Sequence, residues 1–564
     1  MKKDYSQLSK EELVKLVEKL ESRKKYGLIW DEEKVQEEFE KEAQNALPIL
    51  KEIKSKEITD RKPAPNHILI EGDNYHALSV LNFTHQGKID LIYIDPPYNT
   101  GNKSWKYNND YVEKEDSYRH SKWISFMSKR LRLAKNLLKE GGTLMCAIDE
   151  NEQAQLGMLL EEIFPYPTHE VHCIVIIHNP GGVQGKNFSY SHEYVYFVIP
   201  GGKTAIGLQN RDENPDVRPL RDVSTGNHLR VDAKNCFYPI YVKDGEIIGF
   251  GDVCPDSFHP KSANIQRKDG VLEIYPIDTQ GNERKWVFAR QTVESIHGEL
   301  SIEYNRQRKI WDVIRKKTRF TYKTVWDDKR FNANIFGTKL LSQIIDIKFP
   351  FPKSMYAVKE CIQAVIHSKD AIVLDFFAGS GTTAHAVLDL NSEDGGQRSF
   401  ILTTNNESNI CEEVTYPRVK NIIKGYTNRI SGKPVDGYGG NLKYFKTKFV
   451  KMSAAKDELN IRLANECTEM LCLREGVFEE AKSTSDYKIF KQGDRILAAY
   501  YSLDRDALKD LKKDLDKIEG EKILYCFTLD PLGLSKSDFI GWSKVRLEPI
   551  PQKILDVYKQ IYEY

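Results

Sequence analysis

Apolar and polar positions change rhythm several times along the 564 residues. Ser9-Lys10-Glu11-Glu12 has the form of a capping box, and Leu13, Leu16, Val17 and Leu20 follow at helical spacing, which predicts a helix over 9–23. A second charged, helix-like stretch covers 31–56, and Arg61-Lys62-Pro63-Ala64-Pro65 reads as the linker that ends an N-terminal arm over 1–60. Short apolar runs then alternate with helical periods. Strands are expected at 68–70, 89–94, 143–148, 172–177 and 193–199, and helices at 75–83, 122–139 and 151–164, with Gly141-Gly142 stopping the second of these helices. This order predicts an α/β fold with a mainly parallel, doubly wound sheet.

After Pro200 the periodicity weakens, and to about residue 340 the chain is turn-rich, aromatic and basic. Between Arg306 and Arg330 there are ten Lys or Arg against three Asp, interleaved with Trp311, Phe320, Tyr322 and Trp326. Such a run is either a solvated face or a nucleic-acid surface, and interleaved rings that can stack on bases favour the second. A strand pattern returns at 371–376, with a helix over 384–390 and a strand at 399–404. Beyond about 450 lies a last α/β region, with a charged helix near 504–518 and a strand at 522–529. The expected divisions are therefore 1–60, 61–200, 201–340, 341–450 and 451–564.

Overall charge is balanced, 83 basic against 82 acidic residues, so any anionic partner must be held by a local basic surface. Nine scattered cysteines, never spaced C-x-x-C, point to a reducing compartment and away from structural zinc. No apolar run reaches the roughly 20 residues of a bilayer span, and Met1-Lys2-Lys3-Asp4-Tyr5 opens no signal-like segment. A cytoplasmic protein without membrane association is expected.

Two motifs carry chemistry. The run Ile89-Asp90-Leu91-Ile92-Tyr93-Ile94 ends in Asp95-Pro96-Pro97-Tyr98. Consecutive prolines fix φ, remove two N–H donors and keep Asp95 out of helical space, so the Asp95 and Pro96 carbonyls face a ligand as acceptors. The Asp95 carboxylate adds a further acceptor, and Tyr98 adds a ring for a planar base; an exocyclic amino group matches this set. The second motif is Phe377-Ala378-Gly379-Ser380-Gly381-Thr382-Thr383, between a strand and a helix. Strand, Gly-x-Gly, helix lets a cofactor approach the backbone at a helix N-terminus. Ala384 stands where a third glycine would fall and no Walker lysine follows, which disfavours a nucleoside triphosphate. Glu407 ends the next strand, where a ribose-binding carboxylate is expected. His192-Glu193 begins a zinc-like pair, but position 196 is Tyr, so Glu193 reads as a buried or capping strand residue and no metal site is expected.

The segments 68–78, 89–102 (with Asp95-Pro96-Pro97-Tyr98) and Tyr118-Arg119-His120-Ser121-Lys122-Trp123, together with Asp375-Phe376-Phe377-Ala378-Gly379-Ser380-Gly381 and 398–407, resemble the modification subunits of type III restriction-modification systems, β-class adenine-N6 DNA methyltransferases. The likeness covers roughly 26–450. It implies a circularly permuted Rossmann-like methyltransferase sheet, with a catalytic half over 61–200, a target-recognition domain inserted at 201–340 and a cofactor half over 341–450. A small C-terminal α/β domain over 451–564 would serve dimerisation. S-adenosylmethionine would lie along Asp375, Phe376, Gly379 and Gly381, with Glu407 on its ribose, Asp73 close by, and Lys353 of Phe349-Pro350-Phe351-Pro352-Lys353-Ser354 at its methionine end. Asp95, Pro96, Pro97 and Tyr98 would hold a flipped adenine, and Arg315, Lys316, Lys317 and Arg319 would contact DNA. The partners implied are double-stranded DNA, a second copy of the chain and a restriction subunit, because no helicase or nuclease motif occurs here. Three other readings stay open. They are an N4-cytosine methyltransferase, since cytosine offers an amino group to the same acceptors; a module that mainly recognises DNA for a restriction partner; and a solitary methyltransferase.

Overall fold

The computed structural model describes residues 9–10, 13–14, 46–60, 64–100, 119–182, 187–212, 215–453, 455–530, 532–542 and 544–562. Most of the expected N-terminal helices, part of the 61–65 linker and Tyr118 lie outside these residues. The chain forms two compact units, one of Met1–Ile206 with Lys323–Tyr564 and one of Gly207–Tyr322.

The first unit is built on a sheet of ten strands. In chain order they are β1 (Ala46–Glu52), β2 (Asn66–Glu71), β3 (Ile89–Ile94), β4 (Leu138–Ile148), β5 (His169–Ile177), β6 (His192–Pro200), β7 (Val325–Trp326), β8 (Ile372–Asp375), β9 (Ser399–Thr404) and β10 (Asn441–Lys451). Their order across the sheet is β1-β10-β2-β9-β8-β3-β4-β6-β5-β7. From β10 to β4 every pairing is parallel, so the C-terminal ends of β2, β9, β8, β3 and β4 lie along one edge. Parallel strands covered on both faces read as near-continuous apolar runs, and Leu91, Ile92, Ile94, Val373 and Leu374 are fully buried. The covering helices are α1 (Asn74–Thr84), α2 (Arg119–Leu137), α3 (Gln153–Ile163), α4 (Met355–Val365), α5 (Thr382–Asp394) and α6 (Tyr416–Lys424).

Two expectations are corrected. Residues 46–52, taken into the helical stretch 31–56, form β1, antiparallel to β10. Leu47, Ile49 and Leu50 are buried there, and Pro48, which would break a helix, is tolerated because β1 is an edge strand. Trp326, read as a ring available to bases, is buried in β7, packed edge-on to Phe197 at 5.8 Å and tilted against Phe331 at 6.2 Å.

The 207–322 unit is β-rich. A four-stranded sheet (240–243, 246–250, 264–266, 272–274) and a three-stranded one (216–219, 300–305, 310–317) enclose a small core around Tyr238, Ile240, Trp286 and Val313. This unit falls within the expected 201–340 insert; residues beyond it pack with the large sheet, β7 pairing with β5.

Residues 456–562 form α7 (Lys456–Glu466), α8 (Thr468–Glu475), a five-stranded sheet spanning 479–550, and α9 (Leu508–Asp516) and α10 (Gln552–Tyr562). This region shares one core with the large sheet: Leu463, Met470, Leu471 and Ile554 cluster with Leu78, Leu81 and Leu47. Tyr558 donates to the Pro48 carbonyl at 2.5 Å. A core that crosses from one sheet to the other predicts shared cooperativity. Leu471→Ala, at a fully buried position, should cost about 2–5 kcal/mol in urea denaturation, and should shift the unfolding of 46–206 together with that of 456–562 when both are followed by hydrogen exchange.

Candidate active site

Asp95 leaves the C-terminal end of β3, flanked by β8 and β4. Trp123, fully buried on α2, donates its indole N–H to the Pro97 carbonyl at 2.6 Å and so fixes the proline turn. Asn99 follows with φ 54°, in the left-handed region that Asn tolerates. Its amide donates to the buried Glu152 carboxylate, which also pairs with His120 Nδ1 at 2.8 Å. Arg119 to Trp123, part of the resemblance at the start of α2, therefore act as clamps on the residues after Asp95.

The expected Lys353 stands inside this cluster. Its ammonium donates to Tyr98 Oη at 2.5 Å and to Glu193 Oε2 at 2.5 Å, and lies 3.3 Å from Asp95 Oδ1. Tyr98 donates in turn to Glu193 Oε2 at 3.4 Å. Burial pushes the Asp95 carboxyl above its ordinary range, with Lys353 opposing. Burial also works against the charges of Glu193 and Lys353, but their attraction outweighs it: the Glu193 carboxyl is held below its usual range and the lysine above its own. Glu193, at the start of β6, is the functional candidate that sequence reading placed as a mere strand residue; the signal available was an acidic side chain opening an otherwise apolar strand. Asp149, just past β4, is pushed up to about 6 by burial, although Asn151 donates to both of its oxygens.

The glycine loop joins β8 to α5 on the neighbouring strand. Asp375, buried, accepts from the Phe377 N–H at 2.9 Å and from Thr383 Oγ1 at 2.5 Å, closing the turn. Gly379 and Gly381 have φ of 48° and 78°, where a side chain would be strained, and Gly381 is the N-cap of α5. The Phe349 ring lies 3.4 Å from where a Cβ on Gly379 would be, beside the loop. Arg418, fully buried on α6, braces the loop from behind by donating to Ser380 Oγ and Thr382 Oγ1, both at 2.9 Å, while Thr415 Oγ1 donates to the Gly379 carbonyl at 2.6 Å. Asp73 caps α1 through the Tyr75 N–H at 2.8 Å, and next to it Asn74 donates to the Phe376 carbonyl at 2.9 Å. Asn74, the neighbour of Asp73, thus ties the start of α1 to the end of β8, just before the glycine loop. Glu407 lies half-buried just beyond β9, before two residues of positive φ, Ser408 and Asn409.

Of the four expected DNA contacts in the 207–322 unit, Arg315 is bound to Glu299 at 2.6 Å, with its guanidinium 4.7 Å from the Phe288 ring centroid. Lys316 and Arg319 are exposed, and Lys317 lies 4.8 Å from the Phe320 ring centroid. Trp311 packs edge-on against Tyr304 at 5.4 Å, and both rings are partly exposed.

A mainly parallel sheet with the Asp95 turn and the glycine loop at neighbouring strand ends defines an α/β protein with its candidate site at one sheet edge, and residues 89–415 match the family described as DNA methylase. The chain belongs to that family. It is 30% identical over 390 residues to the type II methyltransferase M.KpnI of Klebsiella pneumoniae, covering 64% of this chain and 86% of that one. It is 26% identical over 444 residues to the type III restriction-modification enzyme EcoPI Mod subunit of Escherichia phage P1, covering 70% of this chain and 66% of that subunit. The EcoP15I Mod subunit of Escherichia coli gives 26% over 448 residues, covering 69% and 66%. Among solved structures, the M1.HpyAVI–SAM complex matches with a TM-score of 0.28 at 14% identity, covering 63% of this chain and 98% of that one. Among the described residues, no helix is long and apolar enough to cross a membrane.

Burial pushes the Asp375 carboxyl up from 3.8 to about 7. A carboxyl whose folded-state pKa is raised contributes stability that is fully present below its unfolded value and is lost as pH rises through the folded value. Relative to an Asp375→Asn variant, the protein should therefore lose unfolding free energy between about pH 4 and about pH 7 and run parallel to the variant above that, as read from urea denaturation across pH.

Proposed function

We propose that this chain transfers a methyl group from S-adenosylmethionine to the exocyclic N6 of an adenine flipped out of duplex DNA, as the modification and recognition subunit of a type III restriction-modification system. The observation that carries the reading is the adjacency of two sites on parallel neighbours. The acceptor set of Asp95 and Tyr98 ends β3, and the glycine loop ends β8. Because the amine site precedes the glycine loop in sequence, the sheet is read as the circularly permuted form, with 207–322 as the target-recognition insert. Relatives named as Mod subunits support the type III assignment and a restriction subunit as partner.

The residues fit the donor. Gly379 and Gly381 leave the backbone bare at the N-terminus of α5, and the carboxylates of Asp95, Asp149 and Glu193 give the site an acidic character suited to a cation. Asp375, Phe376, Gly379 and Gly381 would hold S-adenosylmethionine, with Glu407 and Asp73 as polar contacts at neighbouring strand ends. When bound, it supplies an electrophilic methyl group on a sulfonium.

Adenine N6 is a weak nucleophile because its lone pair is delocalised into the ring. The Asp95 carboxylate and the Pro96 carbonyl accept its two hydrogens, favouring a tetrahedral nitrogen and directing the lone pair away from the ring. Tyr98 stacks on the extruded base, repaying part of an unstacking cost of a few kcal/mol. Positioning of this kind supplies roughly 7–11 kcal/mol of a barrier, and the acidic surroundings stabilise charge developing on N6. Asp95, whose carboxyl burial makes more basic, takes up the proton that N6 sheds.

Asp95→Ala should abolish methyl transfer to unmethylated genomic DNA while leaving S-adenosylmethionine binding by calorimetry largely intact; near-normal turnover would sink the mechanism. The wild-type rate should fall as pH drops through the raised Asp95 value. Sequencing of modified bases in cells with and without the protein should show N6-methyladenine, and N4-methylcytosine in its place would overturn the choice of base. In the insert, Lys316→Ala with Arg319→Ala should weaken DNA binding and flatten its salt dependence by about one to two counterions, more than Arg315→Ala, whose charge Glu299 already engages. An unchanged slope would remove this strand from the DNA footprint.

A further inference from the structure

Lys353 raises a difficulty for the proposed chemistry. Its ammonium, 3.3 Å from Asp95 Oδ1, sits among the acceptors that an exocyclic amino group needs. An amine and an ammonium present the same N–H donors, so the two compete for Asp95. Removing the lysine would not help, because its charge would no longer offset that of Glu193 on Asp95, and a carboxylate left beside a like charge takes up a proton more readily. A protonated Asp95 donates where it should accept.

Glu193 resolves the conflict. It is 5% exposed, anchored in β6, which pairs with β4 and β5 on its two sides, and its Oε2 is already nearer to the Lys353 ammonium, at 2.5 Å, than Asp95 is. Tyr98 bridges the two, accepting from Lys353 and donating to Glu193. We propose that Glu193 is a positioning residue on which Lys353 parks: without a base in the site the lysine is shared between Asp95 and Glu193, and when an amino group arrives the lysine moves fully onto Glu193 and Tyr98, freeing Asp95 Oδ1. The inference rests on the reading of Asp95 as the amine acceptor. It assigns to the opening acid of β6 a part in the cycle that neither of the two sequence motifs contains.

The other titratable groups acting on this cluster include His178, whose charge would oppose Lys353 and support Glu193, Asp149 from the end of β4, Asp375 at the end of β8, Tyr93 on β3, Cys146 on β4 and Cys361 on α4. Both carboxylates respond to Lys353, which lowers the pKa of each, and Glu193 raises that of Asp95. Substitutions at the two ends of the pair should therefore move the acidic limb of the rate profile in opposite directions.

The test uses the full chain, tritiated S-adenosylmethionine and unmethylated genomic DNA. In Glu193→Gln, Lys353 has only Asp95 as an anionic partner. The rate at saturating DNA should fall by about tenfold or more, the KM for DNA should rise, and the acidic limb should move to lower pH, with S-adenosylmethionine affinity within about twofold of wild type. In Lys353→Met the limb should move to higher pH. The double variant Glu193→Gln with Lys353→Met should transfer methyl groups faster than Glu193→Gln alone, because the trapped lysine is gone; a merely structural Glu193 would make the double variant the slower one. Wild-type turnover in Glu193→Gln, or a double variant no faster than it, overturns the inference while leaving the proposed activity standing. A wild-type protein that binds the cofactor and methylates no DNA overturns both.

Discussion

The site depends on one pairing, that of β3 with β8, in which Leu91 and Ile92 lie beside Val373 and Leu374. These strands are about 280 residues apart, and the pairing is reinforced by a side chain: Asp90 accepts from the Ile372 N–H at 2.8 Å, across 282 positions of sequence. The same carboxylate is paired with Lys139 at the start of β4. One residue thus ties three strands together at the end of the sheet opposite the chemistry. Because the strands run parallel, register set at that end fixes what meets at the other. A slip by one residue would turn Leu91 and Ile92 to the wrong faces, and the Asp95 turn would no longer stand beside the glycine loop.

The two halves of the edge are built by different physics. The glycine loop is shaped by backbone conformation, and its charged neighbours act as braces: Asp375 closes the turn from within, and Arg418 grips Ser380 and Thr382 from behind. The Arg418 guanidinium is fully buried and hydrogen-bonds to Ser380 and Thr382 oxygens and to the His385 ring, with no carboxylate among these partners, an arrangement that costs desolvation and returns rigidity. The Asp95 turn is shaped by charge. Asp95, Glu193 and Lys353 form a partly buried group with one cation between two anions, and Tyr98 serves as both donor and acceptor within it. A loop that receives a cofactor must hold its shape, whereas a turn that receives a base must be able to exchange hydrogen-bond partners.

Much of this was legible in the sequence because its signals are local. The alternation of apolar runs with helical periods led to β2, β3, β4, β8 and β9 and to α1, α2, α3 and α5, with ends differing by a few residues, but not to β10, α4 or α6. Asp95-Pro96-Pro97-Tyr98 and the glycine loop announced themselves through residues whose backbone preferences are unusual in any context. What escaped was set by tertiary contacts. The 46–52 segment ends in Lys51-Glu52 and follows a charged, helix-like stretch, so only the edge of a sheet supplied by residues 441–451 makes it a strand. Trp326 looks like the aromatics before it, but pairing with β5 draws it into a core. Glu193 carried a weak signal, an acid at the head of an apolar strand, and its partner lies 160 residues away.

That distance bears on how the chain works as a whole. The Glu193–Lys353 contact joins β6, before the 207–322 insert, to the segment leading into α4, after it. The β5–β7 pairing closes the same boundary a few residues beyond the insert. Just past β7, Ser354 Oγ donates to the Arg330 carbonyl at 2.7 Å, which ties the turn bearing Lys353 to the segment that follows β7.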